Sequence, residues 1–271
     1  MTVAIIITLT YLGSIFAKYF FWLANFNHKA DIGRFVVDKA PVKSCFIPFY
    51  SFFTKIHFKE ENYRLKFRLA EILGIASFFL VSIGFVYQFT NVQGTELFII
   101  FLYFCIYLFS AILFTYISVF DILFFQITTR AVIFLLLFGI LANILILLLR
   151  ILVNAEIIIS SLALFQIGNP LTFITFIGVY SLSYILVAVT KENYLGFGDV
   201  DIFAAVSLLL GLEYTIVFFL LFPIVGTIIG LSYSARVRKF RNLRIPLVPI
   251  LYLTYLICLF FGDKLIEIVI V

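Results

Sequence analysis

Charge is the first thing this sequence lacks. Asp, Glu, Lys and Arg make up 12% of its 271 residues, against roughly 25% in a soluble domain that must cover its surface. A water-soluble globule is thereby excluded. Histidine is nearly absent, and its two copies, His28 and His57, have no serine nucleophile or zinc-binding helix motif beside them. The three cysteines, Cys45, Cys105 and Cys258, are scattered without Cys-x-x-Cys spacing, so neither a disulfide framework nor a metal site is expected. A site joining His28, His57 and Cys45 is the one metal arrangement the composition leaves open. A basic amino-terminal region and a small-residue cleavage site are missing too. The apolar stretch from Thr2 onward therefore reads as a retained first span.

What is present is apolar: 64% of the chain, with 36 Phe and 15 Tyr. These residues come in long blocks, and about 20 helical residues cross a bilayer core. The blocks predict an all-α, polytopic helical membrane protein with about eight segments, over 3–25, 69–90, 97–119, 131–153, 170–190, 200–212, 214–235 and 246–270. The sixth is too short to cross at full thickness and is expected to tilt or sink among its neighbours. Two regions follow: 1–68, a first span with a cytoplasmic loop, and 69–271, a membrane-embedded core.

The net charge of +5 does not point to nucleic acid, because the basic residues gather between apolar blocks. With the N-terminus outside and eight crossings, the inside segments 26–68, 120–130, 191–199 and 236–245 hold sixteen of the 19 Lys and Arg. That is the positive-inside bias of a plasma-membrane protein. Of the remainder, Lys18 is expected to snorkel to the inner face. The same span count sets two aspartates distant in sequence, Asp121 and Asp199, at the cytoplasmic edge.

Asp121 stands between apolar neighbours in Ser118-Val119-Phe120-Asp121-Ile122-Leu123. An acid there is either a functional group or the marker of a span end. Asp199 closes Gly196-Phe197-Gly198-Asp199, just before Val200-Asp201 and an apolar helix. The two glycines permit a tight turn and close backbone approach, and capping of the helix by Asp199 is the competing explanation. Two carboxylates brought within a few ångströms share a proton near neutral pH. The charged one can then activate water while the protonated one polarises a peptide carbonyl. Glu71, at the inner end of the second span, reads as a snorkelling or capping residue. Gly226, Gly230 and Ser234 form a small-residue stripe expected to pack helices.

The chain resembles the prepilin peptidases (type IV leader peptidases), membrane aspartic proteases with a Gly-x-Gly-Asp motif. The resemblance rests on Gly196 to Asp199 followed by Ala204, Ala205 and Leu210-Gly211, and on Asp121 with Ile127 six residues later. It extends to Gly13-Ser14, to Ile47-Pro48-Phe49-Tyr50-Ser51-Phe52, to Arg68 through Glu71 and Gly74, and to Ile245-Pro246-Leu247-Val248-Pro249. It implies catalytic Asp121 and Asp199, supported by Gly196, Gly198, Asp201, Glu71 and Pro246. The implied activity is removal of the basic leader from prepilin-like membrane precursors at the cytoplasmic face of a bacterial plasma membrane, for pili, competence or secretion. It also implies N-methylation with S-adenosylmethionine. The sequence departs from the pattern where many members carry a four-cysteine zinc element, since only Cys45 stands there, and no zinc is expected. It departs again at Asp201, where Lys is usual, and at Thr128-Thr129, where Pro-Asn is usual. A transporter or assembly scaffold using buried carboxylates for proton or cation binding is the alternative from another class, and a presenilin-like protease cutting within helices is the alternative inside proteolysis.

Overall fold

The structure, a computed structural model, describes residues 2–32, 61–90, 96–153, 167–191, 195–237 and 245–270. All of the regular structure among them is α-helical. Eight helices follow one another: α1 (Thr2–Ile32), α2 (Glu61–Thr90), α3 (Glu96–Phe124), α4 (Thr129–Val153), α5 (Pro170–Thr190), α6 (Phe197–Leu210), α7 (Leu212–Val237) and α8 (Val248–Ile270). Seven of them, all but α6, are long and apolar enough to cross a membrane. The chain is built as a multi-pass membrane protein.

Helix boundaries differ from the hydropathic blocks in an informative way. Helix α2 begins at Glu61, eight residues before the expected apolar block, because Glu, Arg and Lys are good helix formers. Hydropathy registers where a span enters lipid, not where its hydrogen bonds start. Likewise α3 runs to Phe124, so Asp121 is not beyond the third span but within its last turn.

The chain divides into two compact units, Met1–Gln126 and Ile127–Val271. In the first, α1, α2 and α3 all touch one another. Gly13 on α1 faces Gly74 on α2 so closely that a Cβ on either would collide with the other's backbone. This close approach is why both positions are glycine. Below it lies a cluster of Phe21, Ala24, Phe67, Ala70, Val119 and Leu123, with the Phe21 and Phe67 rings edge to face at 4.8 Å.

The second unit is organised around α6. From Ile202 to Leu210 every side chain of this helix is buried, as expected for a helix apolar on all sides. It touches α4, α5, α7 and α8. At about 21 Å long it is shorter than the hydrocarbon core, and the expectation that it sinks among its neighbours is met. Gly211 (φ 77°) ends it one residue before α7 starts, and Phe203 then meets the rings of Phe218, Phe219 and Phe222 on the returning helix. Asn143 on α4 fixes its far end. Its amide nitrogen donates to the carbonyls of Gly139 (2.9 Å) and Leu208 (2.8 Å), and its oxygen accepts from the Gly168 N–H (2.8 Å). The small stripe of α7 does pack a helix: α7 lies against α8, Gly226 facing Ile250 of that helix and Gly230 facing Ile245 in the segment just before it.

Candidate active site

Asp199 sits in the first turn of α6, outside the seven spans. Gly196 is the N-cap, in an extended conformation (φ −88°, ψ 160°), and Asp199 is the third helical residue. Its carboxylate oxygen Oδ2 accepts from the Gly196 N–H at 3.0 Å, while its own N–H donates to the Gly196 carbonyl at 3.1 Å. Asp199 is therefore not the cap itself; it reaches back from the first turn and closes the loop on itself. Partial burial pushes its pKa up from the ordinary carboxylate range, with the Gly196 N–H pulling weakly the other way. The carboxyl thus holds its proton to a higher pH than an exposed aspartate.

Gly198 sits in a tight place. A Cβ at this position would stand 3.1 Å from Ile127 Cδ1 and 3.2 Å from Ile127 Cβ, within the same unit. The motif's second glycine thus lets the loop seat against Ile127, the aliphatic residue six positions after Asp121. Gly196 has no such neighbour, and its nearest atom is the Asp199 carboxylate itself. Asp201, on the next turn, is half-buried. Thr128 precedes α4, its carbonyl accepting from the Val132 N–H at 3.1 Å. Its hydroxyl oxygen is buried with no hydrogen-bond partner among the described residues.

Asp121 lies in the first unit, 6% exposed. The end of its helix is closed by Phe125, which takes the left-handed conformation (φ 54°) and donates its N–H to the Asp121 carbonyl at 2.9 Å. This is the single-bond αL helix stop, made here without the usual glycine. Lys66 on α2 donates from Nζ to the Leu123 carbonyl at 2.9 Å and stands 5.0 Å above the Phe125 ring.

Glu71 and Lys18 require a correction. Neither snorkels. Both are 0% exposed, joined by a 3.2 Å ion pair between Lys18 Nζ and Glu71 Oε1, and Ser14 Oγ donates to the same oxygen at 2.9 Å. Glu71 lies five residues deeper along α2 than Lys66, and these partners belong to α1. Two opposite charges inside two apolar blocks are the sequence signal for such a pair, since neither would be retained in lipid uncompensated. Lys66, by contrast, reads in sequence only as one more cytoplasmic cation.

Pro246 stands in the turn before α8, where the Leu247 carbonyl accepts from the N–H groups of Ile250 and Leu251; it serves that helix start. Cys45, His57 and the Ile47–Phe52 stretch lie outside the described residues, as does the His28 side chain. Among the described residues, no three His, Cys, Asp or Glu side chains gather as metal ligands would.

The chain is similar to a prepilin leader peptidase/N-methyltransferase of Legionella pneumophila, 38% identical over 78 residues. The match covers 29% of this chain and 27% of the relative's length. No protein-family model matches the chain. No solved structure matches it either.

Proposed function

We propose that the chain is an aspartic endopeptidase that removes the basic leader from type IV prepilin-like precursors, with Asp121 and Asp199 as the acid–base pair. The observation that carries the reading is the Gly196–Asp199 turn. It presents a carboxyl tied at one oxygen, partly desolvated and inclined to hold its proton, in a chain partly similar to a leader peptidase. Ile127, the aliphatic residue that the family pattern sets six positions after its first aspartate, packs against Gly198 of this turn.

The chemistry needs neither metal nor cofactor. In the working state one carboxyl is ionised and one protonated, as like charges at close range enforce. The carboxylate takes a proton from water as its oxygen attacks the scissile carbonyl carbon, and the protonated partner donates to the carbonyl oxygen. Collapse of the tetrahedral intermediate returns a proton to the departing amine and restores the pair. The shared proton and any measured pKa belong to the pair, not to one of its members.

The substrate follows from the chain's placement. With the N-terminus outside, both aspartates fall at the cytoplasmic face of a bacterial plasma membrane. A precursor with an apolar helix in the bilayer and a basic leader in the cytoplasm would bring its junction there. The test is purified protein in lipid nanodiscs given a peptide spanning such a junction, with products weighed by mass spectrometry. Two fragments cut at the leader boundary support the reading. Intact peptide, together with a pH-driven cation flux in sealed vesicles, would replace it with transport.

A further inference from the structure

Asp121 is placed at the end of its helix that least favours an anion. The C-terminal turn carries the negative end of the helix dipole and carbonyls with no intrahelical partner. Two devices answer this. Phe125, in a left-handed conformation that non-glycine residues adopt at some cost, closes the turn by donating to the Asp121 carbonyl at 2.9 Å. Lys66 satisfies the Leu123 carbonyl two residues on, at 2.9 Å, and sets its ammonium 5.0 Å over the Phe125 ring, within cation–π range. One cation from another helix thus holds both a carbonyl of the last turn of α3 and the residue that ends it. Immediately behind it, Phe67 and Ala70 of α2 pack on Val119 and Leu123 of α3, so Lys66 is fixed on a rigid base.

We propose that Lys66 is a positioning residue for Asp121: by clamping the last turn of α3 it sets the carboxyl's orientation for catalysis. The proposal rests on the peptidase reading above. It assigns Lys66 no contact with substrate. Its loss therefore acts on turnover rather than on binding, because a misdirected acid–base group affects only the chemical step.

The experiment uses the full chain in nanodiscs with the junction peptide, comparing wild type, Lys66→Met, Lys66→Arg and Phe125→Leu. Lys66→Met is expected to lower kcat by about tenfold or more with KM unchanged within about twofold. Lys66→Arg, which keeps a cationic donor, is expected to retain at least about a third of wild-type kcat. Phe125→Leu removes the ring under the ammonium without removing the cation and should lower kcat by a smaller factor. It also stands in for Lys66→Met should that variant misfold. Hydrogen exchange at the amides of 122–126 gives a readout independent of catalysis. It should accelerate in Lys66→Met and not in Lys66→Arg. Wild-type kcat in Lys66→Met, while Asp121→Asn is inactive, would overturn the proposal alone. So would a rise in KM at unchanged kcat, or exchange at 122–126 that does not respond. If Asp121→Asn itself remained active, the peptidase reading would fail first, and unaltered exchange would be needed to dismiss the clamp as well.

Discussion

The two candidate aspartates sit at opposite ends of their helices, and the structure treats them accordingly. Asp199, three residues into α6, is at the positive end of a helix dipole, and its support is local: the oxygen that must be held is held by the N–H of Gly196. Asp121, in the last turn of α3, is at the negative end, and its support is imported from α2 through Lys66, 57 residues away from the carbonyl it caps. The same contrast runs through the rest of each unit. The first buries full charges and pairs them across helices, as in Lys18, Glu71 and Ser14. The second fixes its central helix with a neutral amide, Asn143, that makes three hydrogen bonds and leaves no charge in the apolar interior. Charge support is strong but brittle; amide and backbone support is weaker and more forgiving.

That difference can be broken most visibly at Lys18. Replacing it with Met takes away the cation paired with the buried Glu71. We expect a loss of about 3–5 kcal/mol, as for other buried pairs deprived of one partner, read from thermal unfolding in detergent. Lys18→Met with Glu71→Met should recover much of that loss, because the stranded charge is then gone. A double variant as unstable as the sum of the singles would remove the contrast between the units.

Asn143→Leu should cost less, about 2–3 kcal/mol. It strands the Gly168 N–H and one Leu208 carbonyl but strands no charge. The loss should appear in the same melting assay.

Gly198→Ala should cost about 1 kcal/mol in stability, since only a methyl pressing on the flexible Ile127 side chain is added. Its effect on cleavage should be larger in proportion, because the turn that carries Asp199 must shift. Ile127→Val, which removes one methyl from the crowded side, should return part of that activity in the same peptide assay.

The smallest effect is the pH dependence contributed by Asp199. Burial raises its folded pKa above the unfolded value near 4, so the folded state binds the proton more tightly. Its contribution to stability is then undiminished below the unfolded pKa and is lost as pH rises through the folded one. Asp199→Asn, which cannot ionise, should therefore gain stability relative to wild type as pH climbs from about 4 toward neutrality. A stability difference that stays flat across that range would show that the Gly196 N–H offsets the desolvation in full.

How much of this was legible in the sequence follows the same division. The all-α membrane architecture, the short sixth segment and the Gly-x-Gly-Asp turn are written in consecutive residues, where block length, apolar content and glycine spacing suffice. Burial of α6 among its neighbours was legible for the same reason, because a helix apolar on every face has to be enclosed. Taken helix by helix, Lys18 looks like a snorkelling residue and Glu71 like a snorkelling or capping one; their pairing appears only when α1 and α2 are brought together at Gly13 and Gly74. Lys66 on its own helix is likewise only one more topology charge. Hydropathy sets Asp121 beyond its span because it falls off at an acid, whereas the helix continues through Phe124 until the left-handed Phe125 stops it. Local features could be read directly, and features built between helices required the packing.

The most direct test of the central claim is cleavage of an epitope-tagged prepilin co-expressed with wild type, Asp121→Asn or Asp199→Asn, with insertion of each variant verified. The account predicts a shift to the mature size with wild type and none with either variant. Cleavage that persists in either correctly inserted Asn variant would contradict it.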